Sequence, residues 1–234
     1  LALAKKCTRP VKMVMSREEV FKASGPTSGS IMTVKIGAKA DGTITAATAW
    51  LAYEAGAFAG APVGPGCMSV LAPYDLENFS IEGLDVLVNK PRVAAYRAPG
   101  APQAMHAMEC AVDDLARELG MDPIDLRLKN AADEGTQAPY GPQFPAIGLK
   151  ACLEAAKEHP NYKAPVPEGC GRGVASGFWF NIGMQSSAEV LIREDGTVTI
   201  NEGSPDIGGS RASMCLMAAE TLGIPYDRIT AHVA

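Results

Sequence analysis

Several features that would fix a function at once are scarce or missing. The chain has only three histidines and 6% aromatic residues. No Ser/His/Asp order and no Cys/His pair sets out a nucleophile with its base. Six cysteines (Cys7, Cys67, Cys110, Cys152, Cys170 and Cys215) are scattered, none with C-x-x-C spacing. That argues against a zinc or iron–sulfur site inside this chain, and free thiols in a reducing compartment are the expectation. No apolar run approaches the roughly 18 residues of a membrane span. Positive charge is in short supply too: the net charge is −5, and the longest basic clusters are Lys5-Lys6 and Arg9/Lys12. Such a balance leaves no electrostatic footprint for nucleic acid or an anionic membrane.

What remains describes a globular protein of one large or two small domains: 234 residues, 47% hydrophobic and 20% charged. The 24 glycines and 17 prolines exceed the roughly 12% typical of soluble proteins and imply many turns rather than a helical bundle. Residues 31–38 alternate into a strand, an Asp-Gly turn follows, and 43–52 return as its partner. Residues 187–204 repeat the plan around a second Asp-Gly-Thr corner, suggesting two lobes of related build. Between them, Pro102 suits a first helical position. Met105, Met108, Val112, Leu115 and Leu119 then recur at helical steps, with Gly120 as the stop. Asp122 and Pro123 restart a helix as N-cap and first residue. A further helix is expected over 148–158, and one from Ser210 to Leu222 closed by Gly223. The Pro/Gly-rich stretch 158–171 is the best linker. The fold class is α+β, with mixed antiparallel hairpins and helices.

Two corners stand out. "AYRAPGAPQA" (95–104) sets Arg97 in a glycine-bearing turn at the foot of a helix, where a guanidinium offers five donors and cannot be deprotonated. "GSPDIGGSRASM" (203–214) places Gly208, Gly209, Ser210 and Arg211 at another helix start, suited to an anionic ligand through free N–H groups and the helix dipole. The plain alternatives are an ordinary turn with a solvated arginine, and a Gly-rich turn with Ser210 as N-cap. His106 and Glu109 could share a metal, but no third ligand has suitable spacing and a structural histidine is expected. Asp113-Asp114 reads as a solvated helix face. "FWF" (178–180) alternates like a core strand, with a ligand-stacking wall as the alternative. Spacing alone leaves the function open.

At these residues the sequence resembles the molybdenum-binding large subunit of the xanthine dehydrogenase / aldehyde oxidase family. "RPVKMVMSREE" followed by "KIGAKADGTITA" is similar to that family's entry. "NKPRVAAYRAPGAPQAMHAMECAVDDLARELGMDPIDLRLKN" is similar to its A-[FY]-R-G-x-G…PQ…E…D…A…G…P…R…N signature. "CGRGVASG…SAEVLIREDGTVTINEGSPDIGGSRASM" resembles the start of its second cofactor domain. The resemblance implies residues 1–158 as part of a first molybdopterin-binding domain, 159–169 as linker and 170–234 as the start of a second. It implies a molybdopterin dinucleotide with Mo held between the lobes. Tyr96, Arg97 and Ala98 would lie by the metal, and Gly208, Gly209 and Ser210 by the pterin or its phosphates. Pro99, Gly100 and Phe178 would line the substrate pocket.

The implied enzyme is a hydroxylase of an aldehyde or small heterocycle, with water as oxygen source. It would work with subunits or domains carrying 2Fe-2S and FAD, in the cytoplasm or, exported with a signal-bearing partner, in the periplasm. Ala98 stands where copper-containing carbon monoxide dehydrogenases carry cysteine, which argues against a Cu–S–Mo centre. Pro99 replaces the aromatic that stacks on purines, and Gly209 replaces a usual Gln. The family's Gly-rich "GGGFGGK" loop would precede Leu1 and its catalytic Glu would lie beyond Ala234. The chain thus reads as a central piece of a longer polypeptide, inactive alone, and no catalytic residue is assigned. The rival expectation is a cofactor-free, non-catalytic binding module that keeps the fold.

Overall fold

The computed structural model describes residues 1–180, 183 and 185–233. By internal contacts it divides into two units, Leu1–Phe180 and Asn181–Ala234.

The first unit opens with helices α1 (Ala2–Cys7) and α2 (Arg17–Ala23). A capping box starts α2: the Glu19 N–H donates to Ser16 Oγ, and the Ser16 N–H donates to Glu19 Oε2. Strands β1 (Ser30–Ala38) and β2 (Ile44–Gly56) pair antiparallel from Ser30↔Tyr53 to Ala38↔Ile44. They turn at Gly42, whose φ of 85° favours glycine, while Asp41 Oδ1 accepts the Thr43 N–H at 2.9 Å. Helix α3 (Val63–Ser69) then leads to β3 (Phe79–Leu87), which lies parallel to β2.

The core follows from the two periods. In β2, Ala47, Ala49, Leu51, Tyr53 and Ala55 alternate onto the buried face. In α4 (Ala101–Leu119), Ala104, Met108, Val112 and Ala116 recur every four residues and are buried with them. Fully burying a side chain such as Met108 or Val112 contributes roughly 1.5–3 kcal/mol. Gly120, at φ 63°, ends α4. Helix α5 (Pro123–Asn130) starts on Asp122, whose carboxylate accepts the Ile124 and Asp125 N–H groups. Asn130 ties α5 to the β1–β2 turn: its Oδ1 accepts the Ile44 N–H, and its Nδ2 donates to the Gly42 and Leu126 carbonyls.

Helices α6 (Leu149–Glu158) and α7 (Pro160–Lys163) follow. The stretch expected as a linker therefore contains a helical turn. Arg172 fastens what comes after it by donating to the carbonyls of Tyr162 and Ala164 at 2.5 and 2.6 Å.

Residues 171–180 form neither strand nor helix, which corrects the reading of "FWF" as a core strand. A strand needs a neighbour for its backbone groups. Here the Ser176 N–H donates to the Glu109 carboxylate at 2.7 Å instead. Phe178 packs on Phe144 and Tyr140, with ring centroids 5.6 and 6.0 Å away.

The second unit repeats the plan of the first. Strands β4 (Ala188–Ile192) and β5 (Val198–Glu202) form a hairpin around Gly196, α8 (Ser210–Leu222) crosses over, and β6 (Ile229–Val233) lies parallel to β5. Val198, Ile200, Cys215 and Ile229 are its core. Both sheets run in chain order, antiparallel then parallel, so the two units share one β-β-α-β topology. The related build expected from the two Asp-Gly-Thr corners extends well beyond the hairpins. No helix among the described residues is long and apolar enough to cross a membrane.

Candidate functional site

The corner before α4 is held by α3 and β2. Tyr53, fully buried on β2, donates its hydroxyl to the Gly100 carbonyl at 2.7 Å. Burial, aided by the neighbouring Cys67 thiol, pushes that phenol's pKa up. Gly100 has φ 84°, and a Cβ there would stand 2.2 Å from the Pro62 carbonyl oxygen. Its glycine character is thus required by packing against this chain's own α3 region. Gln103 donates to the Ser28 carbonyl at 3.3 Å, and Ser28 Oγ donates to the Glu54 carbonyl at 2.7 Å.

The chain pays for this corner in backbone strain. Arg97 and Ala98 take φ values of 24° and 55°, left-handed conformations that cost about 1–3 kcal/mol each in a non-glycine residue. The Ala98 carbonyl then accepts the Ala101 N–H at 3.1 Å, closing the turn from which α4 starts. Tyr96 is 71% exposed and Arg97 is exposed as well. Pro99 and Gly100, with Thr27, Ser28, Tyr96 and Gln103, line a cavity of about 190 Å³. Phe178 lines a different cavity of about 470 Å³, so the three residues expected to share a substrate pocket are not brought together within this unit.

The second corner is built differently from the sequence expectation. Gly208 and Gly209 are both left-handed, at φ 100° and 87°, and Gly209 rather than Ser210 caps α8. The N–H groups of Gly208 and Ser210 both donate to Asp206 Oδ1, at 2.9 and 3.2 Å. Arg211 Nε lies 3.6 Å from Asp206 Oδ2. The chain's own carboxylate thus occupies the place foreseen for an anionic ligand.

Comparison with known proteins decides the family. Models of the molybdopterin cofactor-binding domain match residues 1–131 and, with a second such domain, 146–234. The chain belongs to the molybdopterin cofactor-binding domain family. The xanthine dehydrogenase molybdenum-binding subunit of Escherichia coli O157:H7 is 30% identical over 94% of this chain and 32% of its own length. The aldehyde oxidoreductase molybdenum-binding subunit of E. coli K12 is 28% identical over 98% of this chain and 32% of its own. The crystal structure of the Desulfovibrio gigas aldehyde oxidoreductase superposes with a TM-score of 0.62 at 26% identity, covering 89% of this chain and 25% of that one. The chain thus spans about a third of the length of the curated relatives it matches.

This family member also holds a buried polar network that sequence reasoning missed. Glu109 on α4 is 4% exposed and Arg127 on α5 is fully buried. Glu109 Oε2 accepts from Arg127 Nε at 2.8 Å and from the Ser176 N–H at 2.7 Å; Oε1 accepts from the Tyr74 hydroxyl at 2.5 Å. Arg127 also donates to the Pro123 and Glu109 carbonyls. Tyr74 is delivered by the 73–75 segment, which pairs with 130–132 through the Asp75 N–H and the Pro73 carbonyl. Burial, then the Glu109 charge, raises the Tyr74 pKa well above its ordinary value. Burial opposes the Arg127 charge, but Tyr74, Glu109 and Asp113 outweigh it and hold its pKa above the usual value.

One earlier reading changes with this network. Asp113 is no plain solvated residue: its Oδ1 lies 2.8 Å from Arg127 Nη1, an ion pair not aligned as a hydrogen bond. Asp114, paired with Arg117 at the surface, is solvated as expected. Glu109 is committed to Arg127, so His106 is left beside Cys110, at 3.8 Å. Among the described residues no cluster of His, Cys, Asp or Glu is arranged to hold a metal ion. The available signal was the "E…D…R…N" order in the 109–130 segment, which showed the residue types but not that they meet.

Proposed function

We propose that this chain is part of the large subunit of a molybdenum hydroxylase, an oxidoreductase acting on an aldehyde or small heterocycle. The observation that carries the reading is the left-handed Arg97-Ala98 corner at the head of α4, in a chain that the cofactor-binding family models cover almost end to end.

The donor chemistry of the first corner fits a molybdopterin cofactor, which bears anionic groups. Arg97 is exposed, permanently charged and held on a strained backbone that the Tyr53–Gly100 bond and the Gly100–Pro62 packing over-determine. The cofactor, when bound, supplies the redox chemistry. Arg97 would bind and orient an anionic group, with Tyr96 and Ala98 beside it, and fixed charge of this kind is preorganised rather than recruited. Pro99 offers no aromatic face for stacking, and the adjoining cavity of about 190 Å³ is small, which supports an aldehyde or a compact heterocycle. Ala98 offers no thiolate to copper. Electrons would leave through 2Fe-2S and FAD carried by partner subunits or domains.

The second corner would receive an anion at Gly208, Gly209 and Ser210 only if Asp206 gave way. That occupation by the chain's own carboxylate favours a second reading, a cofactor-free module that keeps the fold. Elemental analysis of the intact protein from its native host separates the two. Molybdenum without copper, lost in an Arg97→Gln variant that still folds, is the expected result. Copper equal to molybdenum would refute the role given to Ala98, and no molybdenum at all would establish the cofactor-free module.

A further inference from the structure

The repeat between the two units extends to the hydrogen bonds of their hairpin turns. In the β1–β2 turn the Gly42 N–H donates to the Lys39 carbonyl and the Lys39 N–H to the Thr43 carbonyl. In the β4–β5 turn the Gly196 N–H donates to the Arg193 carbonyl and the Arg193 N–H to the Thr197 carbonyl. Asp41 and Asp195 each accept a threonine N–H at 2.9 Å, from Thr43 and Thr197. Counted back from these turns, Val190 holds the place of Ile36, and Ile192 that of Ala38.

What covers these places differs between the units. In the first, the crossover helix α3 packs over β2 and β3, and α4, the helix that follows β3, lies over β1. Met32, Val34 and Ile36 of β1 thereby pack on the core that holds Met108 and Val112 of α4. In the second unit α8 is the crossover helix, and it packs over β6. Val190 and Ile192 stand opposite Ile200 and Val198, whose face α8 covers, and directly paired residues share a face of the sheet. Yet Val190 is 51% and Ile192 67% exposed. Lone exposed aliphatics mean little, but Ala188, Val190 and Ile192 form an unbroken apolar row beside a buried core. A strand face of that composition is one that another layer covers. Among the described residues of the second unit no helix takes the place that α4 takes in the first.

We propose that the apolar face of β4 is the docking surface of an amphipathic helix that follows β6 in the same polypeptide, as α4 follows β3. Connectivity points to that source. β6 and β4 are the two outer strands of their sheet, as β3 and β1 are of theirs, and in the first unit the helix after the third strand returns across the sheet to the first. The curated relatives, of which this chain spans about a third, have the length to supply such a helix. Its chemistry follows from α4: alanine, valine and methionine recur every four residues on the inner face, as Ala104, Met108, Val112 and Ala116 do. Charged residues such as Asp114, Arg117 and Glu118 of α4 mark the outer face. The repeated topology carries this inference, which stands whether or not the protein binds molybdenum.

Photo-crosslinking on the intact protein from its native host tests the occupant. With Ile192→p-benzoylphenylalanine as the probe, irradiation followed by peptide mass spectrometry should join position 192 to a segment beyond β6, at residues three or four apart. The smaller changes Val190→Cys and Ile192→Cys read the same face without a bulky probe, with Glu194→Cys in the exposed turn as the control. A covered thiol reacts only through local opening, so N-ethylmaleimide should modify positions 190 and 192 about tenfold more slowly than 194, or slower still. Equal rates at the three positions would overturn the proposal, because the face would then lie open to water. Cross-links to the first unit or to a separate chain, or none at all, would overturn the helix as its occupant.

Discussion

Replacing Arg127 by methionine tests the network that joins α4, α5 and the 171–180 segment. Methionine keeps a long apolar stem but deletes the charge and every N–H donor. Arg127 is fully buried, 2.8 Å from both Glu109 and Asp113, and 3.1 and 3.3 Å from the Pro123 and Glu109 carbonyls. After the change Glu109 stays buried with only the Tyr74 hydroxyl and the Ser176 N–H for company. Breaking a buried ion pair from one side costs about 3–5 kcal/mol, a large part of the ~5–15 kcal/mol that holds a domain folded. With a urea slope of about 2 kcal/mol/M, the midpoint should fall by about 1.5–2.5 M. Trp50 and Trp179, the only two tryptophans, both lie in the first unit, so fluorescence reads that unit alone. The Glu109→Gln/Arg127→Met double variant leaves no buried charge at these two positions and should cost at least about 1 kcal/mol less than the sum of the single changes. A loss below about 1 kcal/mol for Arg127→Met, or strict additivity in the double variant, would refute the reasoning.

Three other outcomes are expected. The Tyr74 phenol is held well above its ordinary value, first by burial and then by Glu109, so above about pH 10 the unfolded chain loses a proton that the folded one keeps. Stability of the first unit should be full below that pH and fall as pH rises, and Tyr74→Phe should flatten part of the fall in pH-dependent urea titrations. Gly100→Ala places a Cβ 2.2 Å from the Pro62 carbonyl at φ 84°; a loss of at least about 2 kcal/mol is expected by the same fluorescence assay. Asp206→Ala removes the carboxylate that accepts the Gly208 and Ser210 N–H groups at the start of α8 and should cost the second unit about 1 kcal/mol, measured by circular dichroism, with added phosphate restoring part of the loss.

Much of the local structure was legible because it depends on neighbours in sequence. The Asp-Gly corners specify both hairpins through the positive φ of Gly42 and Gly196. The stripe from Met105 to Leu119 specifies α4, Gly120 and Gly223 end helices in left-handed conformations, and Asp122 caps α5 with its own carboxylate. Both corners were visible as glycine-bearing helix starts, and the order of motifs indicated the family that the comparisons establish.

Long-range partners had to come from the tertiary structure. The third strand of each sheet pairs in parallel with a strand far away in sequence, and no local pattern records that. "FWF" alternates like a strand, yet the backbone beside it donates to Glu109 and not to a ladder. Asp113 reads as solvated until α5 brings Arg127 against it. The glycine at 100 is required by a close approach to Pro62 that no local pattern shows; the N–H groups before α8 read as an open anion site, and Asp206 occupies it. The sequence by itself determined the two hairpins and the helices α4, α5, α6 and α8, because backbone preference and side-chain period act over a few residues. Which buried charges meet, and which apparent openings are already filled, only the tertiary structure decided, because desolvation and close packing act between segments that the chain holds far apart.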